Sequence, residues 1–496
     1  MLKKLLLVLF LFLTARVSAQ NEIVASIYRG LGYSYNFQMK EAEAEFQKII
    51  DKYPDDPRGY HYKSSLYLWA FIGNKDQSDY NRFMHLSDVA IEKAQSLLDR
   101  EDNNENALYV LGANYGFRAM AFTKNNNSLD AVWAARKSSK YLNEVQERYP
   151  YNNDIYLGKG LFSYAVSFIP GVFKWALKIA GFSGSKEEGA FYLKKAFKYG
   201  KYSKPEAAFF LSQIYSESYG DYENAANYLR QLIKQYPQNS LFQYSLAVVL
   251  IKDRKPAEAE KTLKDIIRNN NVRFLQIIAY ANFLLGDIYF HRNDFQHAMG
   301  YYQKFLSGTR DFDYSGIAYY RTGLSCELSN NRREAQKNYI LARNGNLDIA
   351  DDIYAKRKGE SCYDRPLSAN EIVIIKASNS LEDGRFSEAF EMLKNVIPRL
   401  ENDKLKGEVF QYLSDAAFEL GKADEAVDYA NRALRMDTKE EKWIKPFACY
   451  YGARASLSRG NKQMAAKFLD KAESYGGFDY ESKLDGWIKT LRAKLQ

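Results

Sequence analysis

The chain has 496 residues and a formal net charge of +9, with 46% hydrophobic and 26% charged residues, 29 Gly and 10 Pro. This balance is ordinary for a folded protein and excludes a collagen-like or largely disordered chain; the length suits about three domains or one extended repeat array. Three Cys and four His are too few for a disulfide framework or a metal cage, whereas 40 Tyr and 30 Phe demand a great deal of packed surface.

Residues 1–19 read as a secretory signal peptide. Lys3 and Lys4 precede an apolar run, Leu5 to Leu13, that is far shorter than the ~20 residues a spanning helix needs. Val17-Ser18-Ala19 then supplies small residues at −3 and −1, which places cleavage before Gln20. No Cys follows the run to carry a lipid, and there is no twin-Arg pair. The expectation is export, with the periplasm as destination and the wider envelope or secretion as alternatives. Loss of Lys3, Lys4 and Arg16 lowers the charge from +9 to +6, with acids and bases interleaved, so nucleic acid is not expected as a partner. Cys326, Cys362 and Cys449 lie far apart and read as buried thiols.

A repeat begins at once, over 23–56. Gly30, Tyr33, Ala42, Phe46, Ile49 and Pro54 fall at positions 8, 11, 20, 24, 27 and 32 of a 34-residue unit, the anchors of a tetratricopeptide repeat. Small residues at 8 and 20 let its two helices approach, and bulky residues at 11 and 24 fill the gap between units. Between Tyr60 and Tyr202 the register weakens, with long apolar helices broken at Asn125-Asn126-Asn127 and Asn152-Asn153. Residues 20–200 therefore read as an irregular N-terminal helical region.

Within that region 158–196 stands apart. Gly158, Gly160, Phe162, Ser167 and Pro170 lead into an apolar stretch that ends at Gly181-Phe182-Ser183-Gly184. Lys186 and Gly189 then open the helix carrying Leu193 and Ala196. Between Leu161 and Phe182 the only charges are Lys174 and Lys178, one turn apart, amid Val172, Phe173, Trp175, Leu177 and Ile179. Such a helix is buried all round, lies on a membrane surface with its lysines snorkelling, or fills a partner's groove. Phe173, Lys174, Trp175 and Lys178 are the candidate membrane contacts. Gly181 and Gly184 are expected to permit a tight turn between two helices.

From 205 onward the repeat becomes regular, with solenoids expected over 205–343 and 370–496 and a linker or insertion over 344–369. One copy reads Gly286, Tyr289, Ala298, Tyr302 and Phe305, and the next Gly323, Cys326, Ala335, Tyr339 and Ala342. Ala247, Ala377 and Ser414 open further copies at the same offsets, while those around Tyr215 and Gly452 slip by one residue. Turns are expected at Gly220-Asp221, Asn293-Asp294, Gly384-Arg385 and Gly421-Lys422, and helix ends at Tyr53-Pro54, Tyr149-Pro150 and Tyr236-Pro237.

Three features together resemble a known family: the 158–196 run, Tyr236-Pro237 ahead of a helix from Ser240, and Tyr354-Ala355-Lys356-Arg357-Lys358 followed by Pro366 and Glu371. In order and separation they are similar to the tetratricopeptide repeat protein 39 and inclusion-body-clearance family of eukaryotes, over roughly residues 105–496. The resemblance implies a repeat scaffold linked to lipid metabolism and aggregate clearance, without catalytic residues. It also implies an intracellular setting, from which an export signal departs.

Catalytic patterns are few. His61, His85, His291 and His297 form no His-Glu-x-x-His pair, and Ser183 with Lys186 matches Ser-x-x-Lys without its companion motifs. No enzyme, cofactor or metal site is expected. Binding is the remaining chemistry, and repeat solenoids bind along their concave face. The positions that face it are Tyr244, Tyr280, Phe283, Asp287, Phe290, His291, Tyr320, Gln411, Asp415 and Phe418. The expectation is an all-α tetratricopeptide-repeat solenoid, a non-catalytic scaffold that holds a protein or peptide partner in an aromatic groove. The alternative is a peripheral membrane or lipid-associated protein that uses 161–182.

Overall fold

The computed structural model describes residues 2–168, 183–269 and 274–495, with side chains from Ser18 onward. Its secondary structure there is 24 α-helices and two short 3-10 turns, without a strand among the described residues. They run α1 Leu2–Tyr35, α2 Met39–Lys52, α3 Pro57–Asn74, α4 Gln77–Arg100, α5 Glu105–Lys124, α6 Ser128–Arg148, α7 Ile155–Ser167 and α8 Lys186–Tyr199. Next come α9 Lys204–Tyr219, α10 Tyr222–Gln235, α11 Ser240–Lys252, α12 Pro256–Asn269, α13 Leu275–His291, α14 Phe295–Gly308, α15 Ser315–Leu328 and α16 Arg332–Leu341. The series ends with α17 Ala350–Asp364, α18 Ala369–Glu382, α19 Phe386–Val396, α20 Asp403–Glu419, α21 Ala423–Arg435, α22 Ile444–Ser458, α23 Lys462–Glu473 and α24 Glu481–Ala493.

Turn chemistry sets these boundaries. Within hairpins one residue adopts the left-handed conformation and the next opens a helix, as at Asn293-Asp294, Asn330-Asn331 and Gly384-Arg385. Gly384, at φ +81°, holds a backbone that most side chains disfavour. Asp294 and Asn331 accept the backbone N–H of His297 and Glu334, and Ser368 with Glu371 forms a reciprocal capping box. α2 and α6 stop at Tyr53-Pro54 and Tyr149-Pro150, where proline cannot extend the hydrogen-bond ladder.

The chain forms two compact units. Unit one is Met1–Tyr215 with Asn224–Gln243 and Val272–Phe274; unit two is Ser216–Glu223, Tyr244–Asn271 and Leu275–Gln496. In unit one α1/α2, α3/α4, α5/α6 and α7/α8 pack as hairpins, and Ala90, Ala94, Ala107, Leu111 and Ala134 form one of its cores. In unit two the pairs are α13/α14, α15/α16, α18/α19, α20/α21 and α22/α23, and α24 buries Leu484, Ile488 and Leu491 at the end of the stack. First helices are buried along most of their length. Second helices bury one stripe at helical spacing, such as Ala426, Tyr429, Ala430 and Ala433 of α21. Residues 344–369 carry α17, whose Ala355 and Cys362, two turns apart on one face, join the core of α13–α16.

The repeat anchors work pairwise. A Cβ on Gly286 would sit 2.6 Å from the ring of Tyr302, and one on Gly323 2.6 Å from that of Tyr339; Gly30 stands likewise against Phe46. Position 8 is thus small because it receives the ring at position 24 of its own unit, rather than to admit a helix backbone. In the slipped copy the ring against Gly452 is Phe468, at the same spacing of sixteen residues. Tyr302 is fully buried and its hydroxyl donates to Asp287 at 2.7 Å, so it cannot retreat. Gly286→Ala is expected to cost about 1–3 kcal/mol by overpacking. Gly300→Ala, on exposed α14 with nothing within 4 Å, is expected to gain about 0.5–1 kcal/mol. Thermal melting followed by circular dichroism separates the two, and equal shifts would refute the pairing.

The 158–196 run packs α7 against α8. A Cβ on Gly160 would meet Leu193 at 2.7 Å and the Gly189 carbonyl at 3.0 Å; one on Gly189 would meet Tyr164 at 2.9 Å and the Gly160 carbonyl at 3.0 Å. A Cβ on Gly184 would sit 2.6 Å from the Ser163 carbonyl oxygen, so this position serves close approach, and its backbone is not left-handed. Phe162 is half-buried in α7, and Ser167 donates to the Tyr164 carbonyl at 2.6 Å. Pro170, Phe173, Lys174, Trp175, Lys178, Gly181 and Phe182 lie outside the described residues.

Candidate functional site

None of the ten groove residues is exposed. Phe283, Phe290, Tyr320, Gln411 and Asp415 are buried and the other five half-buried. Phe283 packs on Phe305 and Tyr314 at 5.1 and 5.3 Å between ring centres. Tyr280 lies 6.4 Å from Tyr244 and donates to Asp311 at 3.2 Å. Asp287 takes the Tyr302 hydroxyl and the Arg321 guanidinium. Asp415 accepts both arms of Arg254, at 2.6 and 3.3 Å, and the Arg454 guanidinium covers the Phe418 ring at 4.1 Å.

Among the described residues, later helices of unit two cover the face of earlier ones on which the groove was expected. Asn379 of α18 donates to the Phe290 carbonyl at 3.0 Å and to Asn293 at 2.9 Å, while Arg385 donates to the His291 carbonyl at 3.1 Å. These bonds satisfy the carbonyls that end α13 and fasten α18 over it. The ten side chains therefore serve mostly as core and clasp, and this corrects the expectation of an accessible aromatic surface.

What remains between these helices is a cavity of about 210 Å³. Of the ten, only Phe290, His291 and Tyr320 line it. Sequence reasoning missed its other walls: Tyr354 and Lys358 of α17, Glu408 and Tyr412 of α20, and Glu441. Two of these pairs are four residues apart and so share a helix face, which is a signal visible in sequence. Nothing local indicates that the two faces meet.

The electrostatics of the cavity are strongly divided. Glu441 accepts Arg357 at 2.8 Å, Lys358 at 2.9 Å and the Trp443 indole N–H at 2.9 Å. Burial works against its charge, but those donors hold its carboxyl down at about 2. Burial drives the opposite result at Glu408, whose carboxyl is pushed up to about 7 although Lys358 draws it down. His291 falls to about 4 through burial, with Arg321 adding to the effect, so the imidazole is neutral at physiological pH. Such a site can hold a small polar or charged group.

Among the described residues no group of His, Cys, Asp and Glu is arranged to hold a metal ion, and no helix is long and apolar enough to cross a membrane. The Lys186 ammonium lies over the Phe168 ring at 5.1 Å.

A family model described as Iml2/Tetratricopeptide repeat protein 39 matches residues 80–363. No curated protein matches the chain. Among solved structures it is similar to a tetratricopeptide repeat protein from Parabacteroides merdae, at 16% identity over 58% of this chain and 98% of that one, with a TM-score of 0.25. It is similar to the C-terminal part of a repeat-containing protein from Cytophaga hutchinsonii, at 14% over 57% and 95%, TM-score 0.28. Yeast Tom70 matches at 14% over 96% of each chain, TM-score 0.23.

Proposed function

The chain belongs to the Iml2/Tetratricopeptide repeat protein 39 family, and from that premise we propose that it is an exported, non-catalytic scaffold whose unit one docks an acidic, amphipathic segment of a protein partner. The observation that carries this reading is the outer face of α6. Leu129, Val132 and Trp133 are 85%, 56% and 50% exposed, whereas Ala131, Ala134, Ser138, Leu142 and Val145 on the opposite face are buried. Large apolar side chains grouped on one exposed face mark an interaction surface. Arg136 and Lys140 continue that face as exposed cations, and the Lys137 ammonium sits 4.1 Å over the Trp133 ring. An apolar stripe followed by cations complements a helix that carries its own apolar stripe and carboxylates.

The non-catalytic part rests on the repeat fold and the family. Export rests on the charge–apolar–small pattern of residues 1–19.

A photo-crosslinker at Val132, activated in cells and followed by envelope fractionation, tests both parts. The expected result is a reproducible crosslinked protein on a chain that starts at Gln20, with yield falling on the order of ten-fold in Leu129→Asp/Trp133→Ala, as removal of a central anchor demands. An unchanged yield in that variant overturns the docking surface. Full-length chain confined to the cytoplasm overturns export.

A further inference from the structure

The cavity of unit two holds a carboxylate that none of its lining cations bonds directly. Four cations line it, and each is committed elsewhere: Arg321 to Asp287, Lys358 to Glu441 at 2.9 Å, Arg365 to Glu371 at 2.7 Å, and Lys404 to Glu440 at 3.1 Å. Glu382 also borders the space but is solvent-exposed at its edge. Glu408 makes no hydrogen bond and no ion pair among the described residues, and it sits half-buried at the cavity wall. A half-buried carboxylate without a close partner is costly, and one facing a cavity is relieved when a cation enters.

The surrounding rings suit such an entrant. Tyr412 follows Glu408 by one helical turn on α20, so the two share a face. Tyr354 of α17 and Tyr320 of α15 stand edge-to-face at 5.9 Å, and Phe290 closes the same wall. Aromatic faces attract cations through their quadrupoles, most strongly where water is excluded. The volume of about 210 Å³ far exceeds the ~30 Å³ share of one water.

We propose that this cavity binds a small organic cation with an alkylammonium head, Glu408 supplying the counter-charge and Tyr354 and Tyr412 the walls. The neutral His291, which also lines the cavity, adds a hydrogen-bonding group without adding repulsion.

Isothermal titration of the full chain with choline chloride and, separately, methylammonium chloride tests the site, with sodium acetate and sodium chloride as controls at equal ionic strength. Saturable one-site binding of at least one ammonium probe is expected, with no binding of the controls. Glu408→Gln is nearly isosteric and breaks no pair, so it is expected to fold and to weaken that binding by at least about ten-fold. Tyr412→Leu is expected to do the same and Tyr412→Phe to retain it, since the attraction needs the ring and not the hydroxyl. Absence of heat with both ammonium probes, a response matched by sodium chloride, or unchanged affinity in folded Glu408→Gln overturns the assignment.

Discussion

Asp415→Ala is expected to destabilise unit two by about 3–5 kcal/mol, the cost of leaving a buried charge unpaired. Asp415 is 1% exposed, and the Arg254 guanidinium that it grips is largely shielded, so little water would replace the lost carboxylate. Burial opposes the Arg254 charge, yet Asp415 beside it holds the guanidinium well above its ordinary range, which marks how much of its solvation the carboxylate supplies. Glu419 stands 3.7 Å from Arg254 but is already shared with Arg454 at 3.2 Å, so it is a poor substitute. The double variant Arg254→Met/Asp415→Leu is expected to recover most of the loss, because a matched apolar pair spares both desolvations. Stacked repeats unfold in parts, so the readout is local: hydrogen exchange in α11 and α20 rather than one global midpoint. Exchange unchanged by Asp415→Ala would show that the pair fastens nothing.

The contrast between this clasp and the reading of Asp415 as a groove residue shows where sequence is informative. Repeat anchors are legible because they are local: Gly286 and Tyr302 meet sixteen residues apart, and helix geometry carries one to the other. Turn signals such as Asn293-Asp294 are legible for the same reason. Position within a repeat also identifies which face of a first helix turns inward. It does not say what covers that face. Asp415 meets Arg254 across 161 residues, and Asn379 meets the Phe290 carbonyl across 89, through bonds that no local pattern encodes. The glycines of 158–196 show a subtler miss. Gly160 and Gly189 lie inside helices and face one another's carbonyls, a role that the turn expected at Gly181 and Gly184 does not touch. A glycine spared for its missing side chain looks the same in sequence as one needed for its backbone freedom.

The difference in stability between Glu206→Gln and the wild type is expected to change by about 3 kcal/mol between pH 4.5 and pH 8, in favour of the variant at high pH. Glu206 lies in unit one, with one carboxyl oxygen buried and without a hydrogen-bond partner. Burial pushes its carboxyl from 4.5 up to about 7; hydrogen bonding to the Tyr35 hydroxyl draws it down, and the nearby Asp154 charge adds to the rise. Asp154 is itself held by the Tyr202 and Ser203 N–H groups at 2.8 and 2.9 Å and by the Ser203 hydroxyl at 2.7 Å. The folded state therefore prefers the protonated Glu206 more than the unfolded state does. Its contribution is fully present below pH ~4.5 and is lost as pH rises through 7, since ionisation is then free in the unfolded chain and costly in the folded one. The gap of about 2.5 units at ~1.4 kcal/mol each sets the size. Glutamine carries no such linkage. Its amide leaves an unpaired N–H at the same place, a fixed cost of about 1–3 kcal/mol that shifts the whole curve but not its slope. Denaturant midpoints of both proteins from pH 4.5 to 8 give the answer directly: a difference that grows through pH 6–7 confirms a buried, reluctantly ionised carboxyl, whereas a constant offset means that Glu206 is already charged and solvated in the native fold.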